Sequence, residues 1–71
     1  MTSTGYETLH FSQANPPGPN QADIPHLLRT VASTIETLGP ITVADLIMHN
    51  EPTTEGNWPS ITVYYSKRDP E

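Results

Sequence analysis

The chain contains no cysteine, which excludes disulfide staples and thiolate metal sites. Positive charge is nearly as scarce: Arg29, Lys67 and Arg68 stand against eight acidic residues, for a formal net charge of −5. Nucleic-acid binding draws on several Lys or Arg side chains that release counterions from phosphates, and an anionic membrane surface makes the same demand. The expected partners therefore include no nucleic acid and no membrane. Long apolar runs are missing too. No stretch approaches the ~18 residues of a spanning helix, and no basic segment followed by an apolar one opens the chain, so a soluble cytoplasmic protein is expected.

The arrangements that carry enzyme chemistry are equally sparse. Gly5, Gly18, Gly39 and Gly56 are isolated, so no glycine loop cradles a phosphate. Neither a G-x-S-x-G elbow nor an S-x-x-K pair occurs, and Ser66-Lys67 are neighbours on a strand, whose side chains point to opposite faces. His10, His26 and His49 match no metal-binding spacing. Asp45 is the one ionisable residue inside an apolar segment. Buried, it would be a candidate acid or base; because carboxylates are rarely buried unpaired, an outward or bulged position is the expectation. No enzyme, cofactor or metal is expected.

What is present is one well-marked helix. From Asp23 to Leu38, the residues Ile24, Leu27, Leu28, Val31, Ile35 and Leu38 form one stripe at a period of 3.6. Asp23 is placed to cap the start, Pro25 is tolerated in the first turn, and Gly39-Pro40 ends the helix. Before it, residues 1–22 are rich in Pro, Gly, Ser, Thr and Asn and read as a flexible tail. Within that tail Leu9 and Phe11 alternate with Thr8 and His10, as a short docking strand would.

After the helix, Ile41 to His49 is β-branched at its start and apolar on both alternating sets. A bulge near Asp45 that switches phase, or a sheet covered on both sides, would account for this. His49 to Asn57 holds Pro52 and Gly56 and reads as a long loop, tightest at Thr54-Glu55-Gly56-Asn57. Trp58 to Ser66 is the clearest strand, with Ile61, Val63 and Tyr65 toward the helix, Tyr64 away from it, and Pro59 confined to a strand start, bulge or edge.

The expected fold class is α+β: one amphipathic helix packed on a two-stranded antiparallel hairpin, αββ, over residues 23–68, with a flexible tail before it and a frayed end at 69–71. So small a core is normally supplemented by disulfides, metal or oligomerisation. Without cysteine, a very compact core, a histidine or carboxylate metal site and self-association remain, and self-association is the expectation. The expected function is a small non-enzymatic protein–protein interaction module that self-associates, its partner being another protein or its own copy as a homodimer. The candidate surface is Trp58, Tyr64, Met48 and Leu46, aromatic and apolar residues of the kind that carry interface energy. A winged-helix regulator and a subunit holding a small ligand at a dimer interface are the alternatives.

Two resemblances bear on this choice. Leu38-Gly39-Pro40-Ile41-Thr42-Val43-Ala44-Asp45-Leu46 resembles the junction between the first two helices of winged helix-turn-helix factors, which implies a helix capped by Thr42. The recognition helix would then fall on residues 51–59, which hold two prolines, a glycine and no base. From about Ile24 to Tyr65 the layout of a helix ending in Leu-Gly, a strand with an internal Asp and a final Trp-Pro-Ser-Ile-Thr-Val-Tyr-Tyr strand is similar to short bacterial α-β-β proteins. That similarity implies strands and no particular activity.

Overall fold

A computed structural model describes residues 8–68. In chain order it contains β1 (Leu9–Ala14), α1 (Ile24–Thr37), β2 (Ile41–Thr53) and β3 (Gly56–Lys67). Residues 1–7, assigned above to the start of the tail, and 69–71, assigned to the frayed end, lie outside the described residues.

The helix begins and ends where its caps dictate. The Asp23 carboxylate accepts the His26 backbone N–H at 3.1 Å, Pro25 lies in the first turn, and Leu38 is the C-cap. Gly39 follows with φ +85°, a left-handed conformation that costs glycine nothing and turns the chain toward β2. Asp23→Ala is expected to cost about 1 kcal/mol and lower the melting temperature by about 4–8 °C, with Asp23→Ser retaining most of the stability. Thermal unfolding followed by circular dichroism checks this.

The sheet has three strands, not two, in the order β1-β3-β2, and both pairings are antiparallel. The two-stranded hairpin expected from the sequence is thus corrected: residues 9–14 form an edge strand of the sheet. Leu9 stands opposite Tyr65, Phe11 opposite Val63 and Gln13 opposite Ile61, so the short alternation places its apolar residues on the helix side. β3, at the centre, alternates strictly, and its Ile61, Val63 and Tyr65 are buried together with Leu27 and Val31 of the helix. Leu9, Phe11, Ile35, Leu38 and Ile41 pack around this cluster. Pro59 lies one residue beyond Ser60, the last position that β1 pairs, so its missing N–H removes no bond to that strand.

β2 and β3 also run further than the sequence implies. The expected long loop at His49–Asn57 is mostly ladder: pairing continues through Asn50↔Pro59, Glu51↔Trp58 and Pro52↔Asn57 to Thr53↔Gly56. Only Thr54 and Glu55 remain as the turn. Gly56 leaves it at φ +118°, open only to glycine. Because β2 is an edge strand, Pro52 is accommodated with its nitrogen turned away from β3.

Residues 15–22 join β1 to the helix through a buried polar clasp. The Asn15 side-chain amide donates to the Asp23 carbonyl at 2.9 Å and lies near those of Gln21 and Asn20. Gln21 accepts the Gly18 N–H at 3.2 Å and, through Nε2, reaches Thr53 Oγ1 and the carbonyls of Gly56 and Asn57. The Trp58 indole N–H donates to the Asn15 carbonyl at 2.8 Å. Both amides are 4% exposed, and among the described residues no buried side-chain N or O lacks a partner, as burial of polar groups requires. The clasp ties the helix N-terminus to the far end of the β2–β3 hairpin.

Candidate functional site

The helix does not sit over the middle of the sheet. It packs on β1 and β3, and Thr34 Oγ1 donates to Gln13 Oε1 of β1 at 3.0 Å. At 100° per residue, Ile24, Leu28 and Ile35 lie about 80–120° around the helix from Thr34, on the flank that faces β2. β2 itself stays open: Val43, Leu46 and Met48 are 41%, 46% and 47% exposed, and Leu28 is 46% exposed. These are large side chains on one side of the sheet, between the helix flank and the free edge.

A register shift makes them a single group. It falls between Val43 and Asp45, so that Val43 opposes Tyr65 while Leu46 opposes Val63 and Met48 opposes Ile61. Directly opposed residues share a face. The odd apolar positions before Ala44 and the even ones after it consequently point to the helix side, as the bulge near Asp45 foreshadowed. The Asp45 carboxylate is exposed and accepts the Leu46 N–H at 3.0 Å. Asp45 is thereby a bulge residue, not a buried acid.

Among the described residues, none pairs with the outer side of the β2 backbone. Pro52 stays within the ladder only if its nitrogen points away from β3, and antiparallel bonding alternates, so the N–H groups of Asn50, Met48 and Leu46 point outward as well. The Asp45 carboxylate on the Leu46 N–H agrees, since that N–H is then outside the β2–β3 ladder. Natural sheets blunt such edges with lysine, proline or bulges because an open row of donors and acceptors templates pairing. Here the bulge at Ala44 and Pro52 flank a stretch from Asp45 to Glu51 that contains no base apart from His49.

The four residues singled out in the sequence do not form one surface. Leu46 and Met48 lie on the helix side at the edge. Trp58 and Tyr64 lie on the opposite face, because even positions of β3 oppose odd positions of β2 once the bulge has been passed. Tyr64 and the even positions of β2 after the bulge therefore lie on opposite faces. Trp58 is half-buried with its N–H engaged by Asn15. Tyr64 lies beside His10, ring centroids 5.7 Å apart, and Ser12 and Thr62 hydrogen-bond across the same face at 2.7 Å. Leu28 and Val43 are the surface residues that sequence reasoning missed. The signal was available for Val43 in the bulge, but not for Leu28, whose exposure depends on the helix being offset toward β1.

Two shallow cavities lie among the described residues. One, of about 310 Å³, is lined by Ala22, Ile24, Met48, Asn50, Asn57 and Pro59, and continues the apolar edge toward the helix N-terminus. The other, of the same size, lies against residues 15–20, Asp23 and His26. The second brings Asp23, whose carboxylate caps the helix at the His26 N–H, beside His26. His10, His26 and His49 are on β1, the first helical turn and β2, and among the described residues no three His, Asp or Glu side chains are grouped to hold a metal ion. No described helix is long and apolar enough to cross a membrane. Residues 41–53 form a strand, so the helix implied by the winged-helix resemblance at 38–46 is overturned. No protein family, curated protein or solved structure matches the chain.

Proposed function

We propose that the protein is a small non-enzymatic interaction module that self-associates through the exposed edge of β2. A cytoplasmic location belongs to the same reading, in keeping with the absence of cysteine and the −5 charge. One observation carries the proposal: Leu46 and Met48, 46% and 47% exposed, sit on an edge strand whose outward N–H groups are free of the ladder. A core of five buried hydrophobic residues among those described supports it, because a domain this small gains stability from a second copy.

Sedimentation equilibrium tests the reading. The native protein is expected at twice the chain mass at tens of micromolar. Leu46→Lys, which places a natural edge-blocking residue at an exposed position, is expected to be monomeric with an unchanged circular dichroism spectrum. A native protein that stays monomeric at several hundred micromolar contradicts it.

A further inference from the structure

The way the second copy docks is written in the residues of the edge. Resting on the self-association reading, we infer that two copies pair β2 against β2 in antiparallel fashion about a two-fold axis at Ile47, forming a six-stranded sheet with both helices on one side.

Three features of the edge lead to this register. The first is its length. The bulge at Ala44 interrupts regular pairing at one end, and Pro52, without an N–H, interrupts it at the other, leaving Asp45 to Glu51 as the segment able to bond a neighbour. The second is its bonding phase. Leu46, Met48 and Asn50 offer outward N–H and C=O groups, so even positions must meet even positions across the axis. An axis at Ile47 satisfies this by placing Leu46 opposite the partner's Met48, where the two exchange backbone bonds, and Met48 opposite the partner's Leu46.

The third is the side-chain pattern, which reads Asp-Leu-Ile-Met-His and is complementary to itself in reverse. On the helix side, the Leu46 and Met48 side chains of both copies come into lateral contact. On the open face, Ile47 meets the partner's Ile47, and Asp45 meets the partner's His49 at both ends. These open-face pairs lie at the closely spaced, non-hydrogen-bonded positions, where side chains interact most strongly. In the single chain the Asp45 carboxylate occupies the Leu46 N–H. On pairing, that N–H passes to the carbonyl of the partner's Met48, and the carboxylate accepts instead from the partner's His49 imidazole.

Neighbouring registers in the same phase lack this fit. Moving the axis to Met48 sets Asp45 opposite the partner's Glu51 at both ends, a like-charge pair. Moving it to Leu46 runs the bulge into the ladder and leaves Asp45 facing the partner's Ile47.

A chain without cysteine allows a direct test on the full-length protein. Ile47→Cys places two thiols opposite each other at a separation that a disulfide spans, and mild oxidation with glutathione disulfide is expected to convert it almost fully to a covalent dimer. Asp45→Cys and His49→Cys are each expected to cross-link at least tenfold more slowly alone, yet rapidly when the two variants are mixed. A second arm needs no new bond. His49→Asp, which opposes two like charges at each end, is expected to weaken the dimer about tenfold, and adding Asp45→Lys to it to restore the affinity. Circular dichroism verifies that each variant is folded.

If the native protein dimerises but Ile47→Cys fails to cross-link, or Asp45→Cys or His49→Cys alone reacts as fast as Ile47→Cys, this register is overturned while self-association stands. A charge pair that shows no rescue overturns it equally. A native protein monomeric at every concentration overturns both.

Discussion

Leu27→Ala is expected to destabilise the protein by about 3 kcal/mol, within the ~2–5 kcal/mol range for a buried leucine, and to lower the melting temperature by roughly 12–24 °C. Leu27 is 0% exposed and meets Val31, Ile61, Val63 and Tyr65 in the only cluster of buried apolar residues among those described. A chain of this length has roughly 4–10 kcal/mol of stability in total, so the substitution removes a large share. The neighbouring residue supplies the control. Leu28 is 46% exposed, and Leu28→Ala is expected to cost under about 1 kcal/mol in a monomeric background such as Leu46→Lys. Thermal and urea unfolding of both variants measure the contrast; equal losses at Leu27 and Leu28 would mean that the helix is not offset toward β1.

Gln21→Leu carries the second large expected effect, about 2–3 kcal/mol. Leucine fills much of the same volume but leaves the Gly18 N–H and the Asn57 carbonyl facing an apolar group, where Gln21 now bonds them, while the Gly56 carbonyl keeps the Thr53 hydroxyl. These bonds are part-buried, and a polar partner left unpaired at such a place costs more than the net worth of its bond. Gln21→Glu tests the donors separately: it keeps an acceptor for Gly18 and loses the Nε2–H groups, so it is also expected to destabilise. The urea midpoint of each variant, read with an unchanged slope, reports the loss. A Gln21→Leu variant as stable as the native chain would show that residues 15–22 are not bound to the hairpin.

That clasp is the part of the fold least visible in the sequence. Asn15 and Gln21 look like loop polars among prolines, and only a tertiary partner distinguishes a buried amide from a solvated one. β1 is similarly hidden, since its Leu9 and Phe11 make a strand signal too short to stand against the Pro-Pro-Gly-Pro that follows. The helix, by contrast, is legible end to end, because Asp23, the apolar stripe and Gly39 are local signals that agree. Ile61, Val63 and Tyr65 were legible for the same reason: strict alternation in a central strand has one solution.

The interaction surface was readable in part. Apolar residues on both alternating sets of Ile41 to Met48 pointed to a bulge or a two-sided sheet, and the bulge brings Val43, Leu46 and Met48 to one side. Grouping Leu46 and Met48 with Tyr64 failed because one extra residue in β2 exchanges the faces of everything after it. Pro52, which read as a loop signal, is instead a strand residue that leaves its neighbours' N–H groups pointing outward.

Closure of the β2 edge by a second copy is open to direct measurement through amide hydrogen exchange at Leu46 and Met48. These outward N–H groups have no acceptor in the β2–β3 ladder. Their exchange is expected to slow by at least tenfold between about 5 and 500 μM protein, as the pairing bonds form, while the amides of β1 show no comparable change. Exchange at these two positions that is fast and independent of concentration would contradict a β2-paired dimer.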